Sequence, residues 1–279
     1  MKKLFALAFT SLIVLAGCGG SGAKKVLTVL TNSGYPPYEV RMSDGALVGF
    51  DIELTEMVAK ELGYDEVKWE DIDFDALIGA VNSGKGDMVA AGLSPTPGRA
   101  ESVEFSEIYY DSKEETANFV LTLKDGDIKK TEDIKGKKVG VQIGTIQESA
   151  INDIKDEYQL KTDPRKSIGD MVQEIKTKRI DFVVVEKAIA DQFLENNPDL
   201  TYFQLEAEGN STGNCFAFKK GNTELCAQVN EVIKKLEENG ELDKLTQKWF
   251  SSEKVKELED EMEKQEAEKD NSESGESAE

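Results

Sequence analysis

Two side chains of opposite charge carry most of the chemistry this sequence offers. Arg99 ends the turn-rich stretch AGLSPTPGRA, residues 91–100, and Glu186 ends the run RIDFVVVE. An arginine presents a planar fork that fits a carboxylate or a phosphate through paired hydrogen bonds. Thr96 is a good helix N-cap and Pro97 suits a first helical position, so a short helix is predicted there. Its unpaired N–H groups would add to an anion site beside Arg99. The same residues also describe a capped surface helix whose arginine points into water. A second helix start lies in IGTIQ, with Thr145 as its N-cap. A positive group and a negative group together suit a zwitterion. The chain contains no histidine, the commonest general base and metal ligand.

The predicted elements place these residues together. KVLTVL, residues 25–30, reads as a strand, and TNSGYPPYEV as a turn-rich link. In LVGFDIELTEMVAKELGY the pattern changes from extended to helical. Asp51 is the predicted N-cap, Leu54, Met57, Val58 and Leu62 line one face, and Gly63 ends the helix. EVKWED then reads as a strand, DALIGAVNSG as a helix and DMVAAGL as a strand. The pattern recurs in KKVGVQ (residues 137–142), the helix IQESAINDI, and RIDFVVVEKAIADQFL. GNCFAFKKGN, residues 213–222, returns as a strand, and two amphipathic helices follow it. Strands alternating with helices predict a parallel α/β architecture. In such sheets ligands bind at the carboxyl ends of strands. Arg99, Gly144 to Gln147 and Glu186 all fall there.

Composition narrows the function classes. The 279 residues permit one large domain or two smaller lobes. A net charge of −21 argues against a nucleic-acid partner. Residues 251–279 hold twelve acids against four lysines and read as a charged helix fading into disorder. MKK followed by LFALAFTSLIVLA reads as a secretory signal over residues 1–17, too short for a membrane span. It ends in LAGC, a lipobox pattern that makes Cys18 the lipid-modified first residue. Residues 18–24 form a glycine-rich tether. Two acyl chains suffice for stable anchoring, so the expected location is the outer face of the cell membrane. Only Cys215 and Cys226 remain. Export permits a disulfide between them, and two buried thiols are the alternative.

GYPPYEV, LVGFDIEL, SGKGDMVAAGLSPTPGRAESVEFSEIYY, GKKVGVQIGTIQES, RIDFVVVE, KKGNTEL and NGELDKLTQKWF form an ordered set over roughly residues 25–250. Through them the chain resembles the family 3 extracellular solute-binding proteins of ABC importers for polar amino acids. The resemblance implies a two-lobed, periplasmic-binding-protein-like (type II) fold with two crossing hinge strands. Lobe 1 would span 25–112 plus 208–250, and lobe 2 113–207. It also implies site roles. Arg99, helped by Thr96, would grip the ligand's α-carboxylate, and Gly144, Thr145 and Ile146 would offer N–H groups to it. Backbone and hydroxyl oxygens around Ala91, Gly92 and Ser94, together with Glu186, would receive the α-ammonium. Tyr35 and Phe74 would sandwich the ligand side chain. Asn32, Glu39, Asp73, Gln142 and Gln147 are candidates for the far end of the pocket. Tyr38 and Phe50 are left to packing.

Two aromatic faces suit a guanidinium. The expected ligand is therefore arginine or another cationic amino acid, with glutamine and cystine as rivals. No cofactor or metal is expected. The implied partners are a free amino acid and a membrane permease with its ATPase, with the binding protein itself a monomer. The rival class is an enzyme on the same scaffold, an amino-acid dehydratase with Glu186 as its carboxylate catalyst.

Overall fold

The computed structural model describes residues 24–111, 117–206 and 213–251. The signal segment, Cys18, all of the tether but Lys24, and all of the acidic tail but Ser251 lie outside the described residues. The first half of the chain forms β1 (Val26–Thr31), β2 (Val40–Arg41), β3 (Leu47–Val48), α1 (Phe50–Glu61), β4 (Glu66–Asp71), α2 (Leu77–Asn82), β5 (Met88–Val89), α3 (Pro97–Ala100) and β6 (Val103–Phe105). It continues with β7 (Asn118–Leu123), β8 (Lys138–Gln142), α4 (Ile146–Ile154), β9 (Lys161–Arg165), α5 (Ile168–Lys176), β10 (Phe182–Glu186), α6 (Lys187–Asn196) and β11 (Leu200–Gln204). The chain then forms β12 (Ala217–Lys219), α7 (Thr223–Glu238) and α8 (Glu241–Trp249).

Two five-stranded sheets result, ordered β4-β1-β5-β12-β6 and β11-β7-β10-β8-β9. Each has its own apolar core. Tyr38, Phe50, Phe216 and Phe218 are buried with the first sheet, and Leu121, Met171, Phe182 and Val183 with the second. Fully burying one such side chain contributes roughly 1.5–3 kcal/mol. Strand β10 is buried at every position because helices cover both faces of its sheet. In α5, Ile168, Met171, Val172 and Ile175 form the apolar stripe that packs on that sheet. Pro164, which lacks a backbone donor, lies in β9 at the sheet's edge.

The chain passes from the first sheet to the second after β6 and returns after β11. The two passing segments meet in an antiparallel bridge, where the Asn214 N–H donates to the Tyr110 carbonyl at 2.8 Å. The observed fold is thus two-lobed α/β.

Two expectations are corrected. The sheets are mixed, not parallel: β12 runs antiparallel to β5 and β6, and β7 antiparallel to β10 and β11. Each reversed strand adjoins a passage between sheets, so it enters from the opposite direction to the β–α–β strands. Asp51 is not the cap of α1. Gly49 holds that position, and Asp51 lies buried in the first turn. The carboxyl of Asp51 is spent elsewhere, on the Gly92 N–H. Thr96 and Thr145 do cap their helices, accepting from the Arg99 and Glu148 N–H groups at 3.2 and 3.1 Å. Cys215 and Cys226 are both buried free thiols, with no bond between them.

Candidate ligand-binding cleft

Each lobe brings a loop to the same place. On the first sheet the chain leaves β5 at Val89 and runs through Ala91, Gly92 and Ser94 to the single turn of α3. On the second, β8 ends at Gln142, β10 ends at Glu186, and the Thr145-capped helix α4 starts between them in sequence. Gly34, Tyr35, Tyr38 and Glu39 form a closed turn. The Gly34 and Tyr35 N–H groups donate to the Glu39 carbonyl at 3.0 and 3.1 Å, and the Glu39 N–H returns a bond to Tyr35 at 3.2 Å. This pairing sets the side chains of Tyr35 and Glu39 side by side.

The loops surround a cleft of about 480 Å³, counting the space at its mouth that is open to solvent. Of the thirteen residues predicted for the site, eleven line it: Tyr35, Phe74, Ala91, Gly92, Ser94, Arg99, Gln142, Thr145, Ile146, Gln147 and Glu186. Thr96 and Gly144 do not. Thr96 stands behind Arg99 as its helix cap. Gly144 donates its N–H to the Glu148 carboxylate at 2.8 Å and turns its carbonyl towards Arg99, the reverse of the polarity expected for it. Asn32 and Glu39, named only as far-end candidates, line the cleft, whereas Asp73 pairs with Lys166 outside its lining. Ile168, Val184 and Val185 also line it and were not anticipated. An apolar residue in a buried strand carries no signal separating pocket wall from core. The signal that could have pointed to Ile168 is Ser167, which caps the helix that Ile168 begins.

Arg99 is fixed from both lobes. Its Nη1 donates to the Ser94 carbonyl and its Nη2 to the Gly144 carbonyl, both at 2.8 Å. Its guanidinium carbon lies 5.5 Å from the centre of the Phe74 ring, in cation–π contact. Burial lowers its pKa to about 10, while Glu186 pulls it back up. The group is thus a cation at neutral pH.

Glu186 is buried, 2% exposed. Burial raises its carboxyl to about 8; Tyr35, Gln147 and the charge of Arg99 pull it down. Those neighbours leave it short of full satisfaction, because Glu186 Oε2 and Gln147 Nε2 both lack a hydrogen-bond partner. Glu39 Oε2 is likewise unpartnered, and its carboxyl is pushed well up, by burial first and then by the charges of Asp51, Asp71 and Glu186. One guanidinium and two under-satisfied carboxyls therefore share the cleft. Tyr35 stacks on Tyr38, with ring centres 5.5 Å apart, which holds it upright at the wall. Gln142 reaches across the cleft, donating to Asn32 Oδ1 at 3.1 Å. Buried carboxyls without partners are costly, and a cation between them would offset that cost.

Comparison with known proteins places this geometry in a class. The profile of the bacterial extracellular solute-binding proteins, family 3, matches residues 27–252, and the chain belongs to that family. It is 40% identical over 263 residues to the arginine-binding extracellular protein ArtP of Bacillus subtilis (strain 168), an alignment covering 91% of this chain and all of that one. The substrate-binding protein of an amino acid ABC transporter superposes with a TM-score of 0.76 at 36% identity, over 81% of this chain and 100% of the other. An ancestral arginine-binding protein bound to arginine gives 0.75 at 33% identity, over 82% and 99%.

Proposed function

We propose that this protein captures an extracellular amino acid, with arginine as the preferred ligand, and hands it to an ABC importer's permease. The observation that carries this reading is the single cleft holding Arg99 together with the buried carboxyls of Glu186 and Glu39. Arg99 is the partner for the ligand's carboxylate, and Glu186 for its ammonium. Glu39 and the aromatic walls Tyr35 and Phe74 would serve a cationic side chain. With Glu186 and Glu39 ionised by the bound ligand, the three groups oppose the three charges of arginine one for one. Glutamine lacks the second cation that Glu39 would meet, and cystine brings its second ammonium together with a second carboxylate, for which the cleft lining holds no cation besides Arg99. The arginine-binding relative and the arginine-bound neighbour support the same choice.

The reading extends to the lobes, with boundaries at 25–112 plus 208–250 and 113–207, and to a monomer docking on a permease–ATPase complex. It also assigns Cys18 a lipid anchor. Among the described residues no helix is long and apolar enough to cross a membrane. Ligand capture without turnover fits a site whose buried carboxyls face no histidine, since the chain has none.

A thermal-shift screen across the twenty amino acids, ornithine and cystine tests the ligand. A ligand stabilises the folded form as the logarithm of its saturation. Arginine should give the largest shift; a larger one with glutamine or cystine would overturn the choice. Mass analysis after incubation should recover each amino acid intact, and a dehydrated product would establish the enzyme instead. Palmitate labelling in the producing cell should vanish in Cys18→Ala; label retained there would refute the anchor.

A further inference from the structure

The cleft rests on a buried clamp whose members do not themselves line it. Gly92 is held at both of its peptide groups. Its N–H donates to Asp51 Oδ2 at 2.7 Å, and its carbonyl accepts from Asn214 Nδ2 at 2.6 Å. Asp51 and Asn214 are both fully buried. They are in turn held by tyrosines: the Tyr109 hydroxyl donates to Asp51 Oδ2 at 2.8 Å, and the Tyr38 hydroxyl to Asn214 Oδ1 at 3.2 Å. Asp51 Oδ1 has no partner, so this carboxyl was not buried to satisfy itself. Gly92 needs such support. Its φ of +53° lies in the left-handed region, and a Cβ there would come within 3.2 Å of the Tyr35 ring. The Asp51 bond also fixes the peptide that precedes it. In a planar trans peptide the carbonyl points away from the N–H, so holding the Gly92 N–H aims the Ala91 carbonyl in the opposite direction.

We infer that Asp51 and Asn214 are positioning residues for the ligand's α-ammonium: by holding the two peptide groups of Gly92 they lock the backbone in the orientation that presents the Ala91 carbonyl to that group, the Gly92 and Leu93 carbonyls being taken by Asn214 and Cys215. This rests on the proposed amino-acid site and goes beyond it, since neither residue touches the ligand. It also ties the site to the passage between the lobes. The Tyr109 N–H donates to the Asn214 carbonyl at 3.0 Å, next to the Tyr110–Asn214 bridge. Asn214, which holds Gly92, and Tyr109, which holds Asp51, thus also join the two passing segments.

The test compares two probes that differ only at the ammonium, arginine and 5-guanidinopentanoic acid, by calorimetry and, for millimolar affinities, by NMR titration. Asp51→Ala should weaken arginine about tenfold or more while changing the des-amino probe less than threefold. Asp51→Asn, which keeps an acceptor for the Gly92 N–H, should stay within threefold for both. Asn214→Ala acts from the other side of Gly92, should give the same selective loss, and decides the matter if Asp51→Ala does not fold. Equal losses for both probes, or no loss for either, would reduce the clamp to packing. Wild-type protein that binds neither probe nor any amino acid of the thermal-shift screen would overturn the amino-acid reading itself, and the proposal with it.

Discussion

Glu186 is the residue at which binding and protonation meet. Its carboxyl has an ordinary value of 4.5 and stands at about 8 in the folded protein, chiefly through burial. Between those values the folded state binds more protons than the unfolded one. The stability this proton contributes is therefore full below about 4.5 and is lost as pH rises through about 8. Asp51, raised to about 7, and Glu39, also raised, act in the same direction. The ligand-free melting temperature should therefore decline from pH 5 to pH 8.5, and the decline should be shallower in Glu186→Gln. Identical slopes in the two proteins would show that this carboxyl does not titrate as assigned. Binding reverses the balance, because an ammonium beside Glu186 favours the ionised form. Calorimetry at pH 7 in buffers of different ionisation enthalpy should report proton release on binding, smaller at pH 9. Affinity should rise between pH 6 and pH 8.

At the scale of elements, the turn that starts α4 is as important as any side chain in the cleft. Gly144 has φ +80°, and a Cβ placed there would lie 3.1 Å from the Asp75 Cα across the cleft. Gly144→Ala would carry a left-handed penalty of roughly 1–2 kcal/mol. It would also place a methyl group against backbone that cannot withdraw while the lobes stay together. Ligand affinity should drop at least fivefold, and small-angle scattering should give a larger radius of gyration at saturating arginine than for wild type. Unchanged affinity would mean that the approach of these two backbones is not needed for binding. This turn was legible in the sequence. Thr145 is a strong cap and IQESAINDI a clear helical pattern, and the observed helix is Ile146–Ile154. The turn before Arg99 was legible for the same reason, since caps and prolines act locally. Strand direction was not, because it depends on where the chain crosses between sheets. Strand β7 and helix α5 were not singled out either, although NFVLTL is an apolar run. The use of Asp51 was misread because an aspartate before an apolar helix face looks like a cap. Only the fold brings Gly92, 41 residues later in the chain, to its carboxylate.

For the whole molecule, the question is what holds the two lobes closed. Among the described residues, the polar contacts that span the cleft include Arg99 to the Gly144 carbonyl, Gln142 to Asn32, and the ion pair of Lys166 with Asp73. They differ in setting. Lys166 and Asp73 have side chains 62% and 48% exposed, so water and salt screen their attraction. Exposed pairs of this kind are worth about 0–1 kcal/mol. Arg99 is largely withdrawn from water, and its charge would meet the ligand's carboxylate where screening is weak. Removing one partner of a buried charge pair costs about 2–5 kcal/mol. Lys166→Ala should therefore change the arginine dissociation constant less than about threefold, and 0.5 M NaCl should abolish that difference. Arg99→Ala should weaken binding at least a hundredfold at either salt concentration, while the ligand-free protein stays folded. A large, salt-resistant effect of Lys166→Ala would mean that the rim, rather than the ligand, drives closure. In that case the lobes would close without cargo, and the permease could not distinguish a loaded protein from an unloaded one by its shape.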